Sequence, residues 1–265
     1  MVTRPQGQAP AHRAAEEHHV EASPADRPVL AVLEDCAGGA VLIECSAALA
    51  RALGRELAVV QVQSTLALQA AALPQTRVLA HAGAPWAAFA PQDVERGWRA
   101  QTARLRALAG PIATRHSLPW SLRTVRGEIG AVARGLLDET DLLFLGAMVW
   151  HTRAMARAAA APAVLAVLDD GSAAARRGMQ LAARMASGMA SGGAFRSASG
   201  SSSGLATSPS GAWRVRELPV ADGVALDALL RQPPPLDALL MPRALATPER
   251  WARLARLGCP VLLIG

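Results

Sequence analysis

No lysine, asparagine or tyrosine occurs anywhere in the 265 residues. The missing types have AT-rich codons, whereas alanine, arginine, glycine and proline, abundant here, have GC-rich ones. The arginines behind the formal net charge of +6 therefore follow from base composition. They are spread over many segments instead of being gathered with aromatics into one patch, as a nucleic-acid footprint requires. The sequence accordingly argues against nucleic acid as a partner.

Cysteine is sparse as well. Cys36, Cys45 and Cys259 show no CxxC or metal-ligand spacing, and an odd count fits a reduced compartment. Cys45 falls on an apolar helix face and Cys259 leads into a strand, so both read as small buried hydrophobes, while Cys36 sits in a loop. An apolar leader core is missing from the N-terminal residues, and no secretory signal is read there. The longest apolar run, residues 158–168, falls short of the about 20 residues of a membrane span and contains Pro162. These absences together predict a cytoplasmic protein that does not enter a membrane.

Recognisable chemistry is equally thin. Glu16-Glu17-His18-His19 lacks the HExxH spacing that sets two histidines on one helical face. His81, His116 and His151 are isolated, and no Ser/His/Asp or Cys/His arrangement emerges, so no metal site and no catalytic residue is predicted. The reading is of a protein that is not an enzyme.

What is present is an alternation of apolar strands and amphipathic helices. Residues 1–27 are polar, rich in proline and paired charges, and are expected to form a disordered tail. Strands are predicted over 28–33, 57–62, 120–125, 142–145 and 163–168, the fully apolar ones being covered on both faces. A helix carries Leu42, Cys45, Leu49 and Leu53 and stops at Gly54. Another begins near Asp93 with Val94, Trp98, Leu105 and Leu108 on one face, and a short one spans 128–138. Trp98 and Trp251 read as core anchors, and Trp150 and Trp213 as interface residues between two halves. Residues 64–90, rich in Ala, Gln and Pro, resist assignment.

The chain then repeats its opening. Strand 163–168 runs into an acidic turn, Asp169-Asp170-Gly171-Ser172, and a helix with Met179, Ala182 and Met185, much as strand 28–33 runs into Glu34-Asp35-Cys36 and its helix. A Ser/Gly/Ala tract over 187–211 reads as a flexible linker where the first half has a further strand and helix. Strands at 213–220, 237–241 and 261–264 follow, with helices at 223–231 and 248–257. Thr247-Pro248 supplies the start of the latter and Gly258 its stop. Residues 236–265 and 140–167 echo one another as acid, strand, Arg-bearing helix, proline and strand. Repeated strand–helix–strand units imply parallel sheets, since parallel neighbours need a crossover. The expected domains are 28–161 and a degenerate 162–265, and the second is expected to depend on the first for burial.

The stretch Val125-Arg126-Gly127-Glu128-Ile129-Gly130, with Asp141-Leu142-Leu143-Phe144-Leu145-Gly146 after it, resembles the universal stress protein family. Val167-Leu168-Asp169-Asp170-Gly171-Ser172 resembles that family's opening strand and turn, and Cys259-Pro260-Val261-Leu262-Leu263-Ile264 its closing strand. The resemblance covers most of 28–265 as a tandem pair. It implies an open, parallel, Rossmann-like α/β sheet in each unit, with pairing through the last strand, and a role in bacterial stress response. The ATP-binding branch of the family carries Gly-x2-Gly-x9-Gly-Ser/Thr after its fourth strand, because phosphates approach backbone N–H groups that side chains would block. Here only Gly146 matches; Val149, Ala159 and Ala160 take the other positions, and Pro242, Leu245 and Ala255-Arg256 take them in the second half. No cofactor is therefore expected, and ATP is disfavoured.

Four candidate cofactor-binding positions remain. Asp35 and Asp170 end strands at the place where open α/β sheets receive ligands, and would meet an adenosine or else cap the next helix. Gly127 and Gly146 admit a ligand closely or are ordinary strand-end turns. The expected role is that of a regulatory or interaction protein, with self-association or another protein engaged through strand 261–264, within the chain or as a dimer. The alternative is an adenine-nucleotide-binding module with a non-standard phosphate site.

Overall fold

The computed structural model describes residues 27–36, 39–79, 85–146, 164–191, 214–234, 236–254, 257 and 259–265. The expected tail, apart from Arg27, lies outside these residues, as do Trp150, Trp213, His81, His151 and the Glu16–His19 cluster.

In chain order the elements are β1 (Val29–Leu33), α1 (Gly39–Leu53), β2 (Leu57–Gln63), α2 (Thr65–Ala71), β3 (Arg77–Val78) and β4 (Ala87–Ala88). They continue with α3 (Pro91–His116), β5 (Trp120–Arg126), α4 (Ile129–Leu136), β6 (Leu142–Leu145), β7 (Val164–Asp169) and α5 (Ala173–Ser191). β8 (Arg214–Pro219), α6 (Gly223–Arg231), β9 (Ala238–Pro242), α7 (Pro248–Leu254) and β10 (Val261–Ile264) complete the chain. Eight strands form one sheet in the order β5-β2-β1-β6-β10-β9-β7-β8. All neighbours are parallel except β6 and β10, where Leu142 stands opposite Ile264 and Leu145 opposite Val261. Two parallel half-sheets thus meet edge to edge, upside down relative to each other.

One assignment changes, and one pairing could not be read. The strand at 163–168, the fifth along the chain, does not lie beside β6: β7 lies between β9 and β8, and β10 takes the place beside β6. An apolar run shows that a strand is buried without showing which neighbour it takes. The linker read from residue 187 starts later, since α5 runs to Ser191 and Ser187 Oγ donates to the Ala183 carbonyl at 2.9 Å, an i−4 helical bond. The rest of that tract is not among the described residues. The expectation that β10 pairs is met inside the chain: β6 and β9 occupy both its edges.

Alternation along each strand sorts the core into two layers. Val29, Ala31 and Leu33 face α1, α3 and α5, while Leu30 and Val32 face the side covered by α4, α6 and α7. Both layers cross the β6–β10 seam, because Leu142 and Phe144 join Leu262 and Ile264 on one face, and Leu143 and Leu145 join Val261 and Leu263 on the other. The helices cross it too: α1 packs on α5, and α4 on α7. A Cβ at Gly178 of α5 would come within 2.9 Å of Ile264 Cδ1, so the small residue sets how closely that helix lies on the seam. Cys45 and Cys259 are buried as expected, and burial, with the Glu44 charge behind it, pushes the Cys45 thiol up to about 12. Trp98 and Trp251 are buried as well.

One ionic cluster pins the seam. Asp141, immediately before β6, accepts from Arg55 Nη1 at 2.5 Å and also pairs with Arg177 of α5. Its backbone carbonyl accepts from Gly265 N at 2.9 Å, and Arg177 Nη1 donates to the Gly265 oxygen at 3.0 Å. Burial alone would raise the Asp141 carboxyl, but the hydrogen bonds and charges of Arg55 and Arg177 outweigh it and hold the group below the ordinary aspartate value. A depressed folded-state value contributes stability above the unfolded value of about 3.9, and that contribution disappears as pH falls through the folded value. Removing one member of a buried ion cluster costs about 3–5 kcal/mol because its partners are left uncompensated. Asp141→Asn is therefore expected to lower stability by an amount of that order at neutral pH, and to flatten the dependence below pH about 4. Urea titrations of both proteins between pH 2 and 7 measure both effects; curves that coincide at every pH would show that the cluster contributes nothing.

The isolated segment 162–265 would expose β10 and half of both core layers. It is expected to show no cooperative transition in thermal circular dichroism, and a sharp, reversible melt would contradict the dependence of the second half-sheet on the first.

Candidate functional site

Because β1, β2, β5 and β6 are parallel, the residues that follow them gather at one end of the first half-sheet. Glu34, Asp35 and Cys36 follow β1, Ser64 follows β2, Gly127 and Glu128 follow β5, and Gly146 follows β6. Three of the four candidates from sequence, Asp35, Gly127 and Gly146, are thus brought to a common edge. Asp170 is not. It follows β7, in the inverted half, and lies at the opposite end of the sheet.

The turn at Asp170 works as a helix start. Asp169 Oδ1 accepts from Gly171 N at 2.9 Å, Asp170 Oδ1 from Ser172 N at 3.0 Å, and Ser172 Oγ from Ala175 N at 3.0 Å. Gly171 has φ +77°, a left-handed conformation that glycine adopts without strain. The local hydrogen bonds are those of Asx turns followed by an N-cap.

At the other end, Glu128 organises the edge. Its Oε1 accepts from Ser64 Oγ at 3.2 Å, Thr65 Oγ1 at 3.1 Å and Leu66 N at 3.3 Å. A carboxylate brought from beyond β5 therefore caps the first turn of α2, whose own N-cap residue, Ser64, makes no side-chain capping bond. Neighbouring Glu34 has its carboxyl raised, first by burial, then by the Glu128 charge and, more weakly, by Asp35, against a hydrogen bond from the Ile129 backbone. Negative charge is concentrated here.

The two glycines have packing reasons of their own. Gly127, at φ +149°, donates its N–H to the Gln63 carbonyl at 3.1 Å, and a Cβ there would sit 3.0 Å from Val132 Cγ2. A Cβ at Gly146 would meet Leu33 Cβ at 3.2 Å and both Leu42 Cδ2 and the Val32 carbonyl at 3.3 Å. The bare side of Gly146 faces protein atoms.

Beneath α3, fully buried Gln61 meets Thr102, whose Oγ1 lies 2.5 Å from Gln61 Oε1 and 2.8 Å from the Trp98 carbonyl. One hydroxyl proton cannot serve both acceptors. With Thr102 donating to Trp98, a turned Gln61 amide would donate to Thr102 instead. In either orientation one end of the amide has no partner among the described residues. Cys36 borders the same layer, its Sγ donating to the Gln101 carbonyl at 3.4 Å. Its thiol is raised by burial and then by Asp35, against Arg104 and a Leu105 backbone hydrogen bond, which keeps it in the unreactive protonated form.

His116 pairs with Glu44 at 2.8 Å on the outside of α1 and α3. Among the described residues no three His, Cys, Asp or Glu side chains are placed to hold a metal ion. The strand-end acids were visible as turns in the sequence, and so was the acid before β6. Glu128's contact with α2 and Gln61's pairing with Thr102 join residues far apart in the chain, and neither carries a motif. No family model matches the chain, and no curated protein matches it.

Glu128→Ala is expected to fray α2 at a cost of about 1 kcal/mol, the usual value of a lost cap. Hydrogen exchange at residues 66–71 should quicken while β1 and β6 amides stay protected; unchanged exchange in α2 would show that the carboxylate does not hold it.

Proposed function

We propose that the chain is a regulatory or interaction protein of the universal stress protein kind, two such units fused with the second shortened. It acts in a bacterial stress response without turnover and without holding ATP in that family's manner. The observation that carries this reading is the crowded, acidic carboxyl edge of the first half-sheet. A triphosphate approaching Gly146 would meet the charges of Asp35 and Glu128 and the Glu34 carboxyl, which burial and the Glu128 charge raise. The glycine that would begin a phosphate cradle has its open side against Leu33, Leu42 and the Val32 carbonyl. Glu128 is engaged with α2, and Asp170 is engaged with its own turn at the far end of the sheet.

The competing reading, an adenine-nucleotide module with a non-standard phosphate site, draws on Gln61, whose buried amide has an unpaired end. A buried water answers that need equally well, since such waters commonly serve otherwise unsatisfied groups.

Calorimetric titration with ATP, ADP and AMP in the presence of Mg²⁺ separates the two. Neither saturable heat nor a thermal shift is expected. Saturable binding that disappears in Asp35→Ala or Asp170→Ala would establish the nucleotide reading and locate its site.

A further inference from the structure

β5 is an outer strand of the sheet, and among the described residues nothing pairs with its far side. Its near side is fully used: every residue from Trp120 to Arg126 stands beside one of β2. The N–H and C=O of a strand residue point one way, and those of the next residue point the opposite way. Leu57 N donates to the Pro119 carbonyl and Gly127 N to the Gln63 carbonyl, each at 3.1 Å, so the odd-numbered residues of this stretch face β2. Trp120, Leu122, Thr124 and Arg126 therefore turn their N–H and C=O groups outward. An edge of this kind is a template for another strand.

The side chains specify which strand fits. Trp120 and Leu122 are half-buried against the layer under α3, and Thr124 is exposed further along the same face. Arg123 is on the other face with Val125 and is ion-paired to Glu139 of its own chain. An incoming strand has to bring apolar or β-branched residues to the first face and a residue without positive charge opposite Arg123. β5 of a second copy, run antiparallel about Leu122, does both. Leu122 then faces Leu122, Trp120 faces Thr124 and Ser121 faces Arg123, each opposed pair sharing a face. The same alignment gives partners to the outward N–H and C=O groups of residues 120, 122 and 124 in both copies. Centring on Arg123 opposes two arginines, and centring on Thr124 sets the cation of Arg126 against Leu122. β8, the other outer strand, opens with Arg-Val-Arg-Glu and brings like charges together wherever the axis falls within that run.

We propose that β5 is a self-association edge, paired antiparallel with β5 of a second copy about a twofold axis at Leu122, so that the sheet continues from one chain into the next. A twofold arrangement is closed and stops at two copies. One strand pair is a small contact, at the low end of interface sizes, and the expected affinity is micromolar. The proposal rests on the interaction reading above and supplies one partner for it; the mass of the assembly and its refusal of ATP are separate readouts, so either can fail alone.

Sedimentation equilibrium of the full chain between about 1 and 100 μM spans that range of dissociation constants. The mass is expected to rise from one copy to two. Ser121 is exposed and faces Arg123 in this register, so Ser121→Arg should weaken association at least about tenfold and Ser121→Glu should tighten it. Both variants are expected to melt with the parent. Thr124→Pro removes an outward N–H and leaves the ladder with β2 in place, as proline on an edge strand does, and should also weaken the dimer. A single-copy mass throughout would overturn the proposal. So would a mass that climbs past two copies, or a dimer on which Ser121→Arg and Ser121→Glu act alike.

Discussion

Two short apolar strands, Leu142–Leu145 and Val261–Ile264, set the terms for the rest of the structure. Each is the edge of a parallel half-sheet, each is buried on both faces, and each would otherwise present unpaired N–H and C=O groups. Joining them satisfies both edges at once and places apolar side chains into common layers above and below. The join is antiparallel, so Asp141 at the start of β6 falls beside Gly265 past the end of β10. That position lets a single carboxylate serve Arg55 of the first half and Arg177 of the second. Buried ionic groups are weak sources of net stability, and their better attested use is to specify register. Here a slip of one residue between β6 and β10 would turn Leu143 and Leu145 to the wrong layer and part Asp141 from its hydrogen bond with Gly265. Packing and ion pairing select the same alignment.

The inversion at the seam also divides the chemistry. Carboxyl ends of strands, where open α/β sheets bind ligands, point one way in the first half and the opposite way in the second. The acidic turn after β1 and the acidic turn after β7 therefore never meet, however alike they are in sequence. One turn is closed by its own Asx hydrogen bonds, and the other lies among carboxylates that raise Glu34. A parallel arrangement of the halves would have placed Asp35 and Asp170 on a common rim.

Most elements were legible because strands such as VLAVL and helices such as the one bearing Leu42, Cys45 and Leu49 are decided by local apolar periodicity. Where pairing is chosen by tertiary contacts the reading fell short. Nothing local shows which strand lies beside β6: β10 takes that place only after the chain has passed through three further strands. The insert resisted assignment because β3 and β4 are two residues each, Arg-Val and Ala-Ala, with too little length to show alternation. At the candidate edge, Asp35, Gly127 and Gly146 were legible as strand ends. Arg55 and Arg177, 86 and 36 residues from Asp141, carried no signal at all.

With β10 interior, the free edges of the sheet among the described residues are β5 and β8, and β8 carries a guard against copying itself. A twofold antiparallel pair is symmetric about one residue, because opposed side chains must share a face. Centred on Val215, such a pair sets Arg214 against Arg216; centred on Arg216, it sets that residue against itself; centred on Glu217, it opposes two carboxylates. Like charges directly opposite destabilise a strand pair. The arginines that base composition scattered through the chain, with Glu217, thus set like charge against like charge at this edge in each of these alignments.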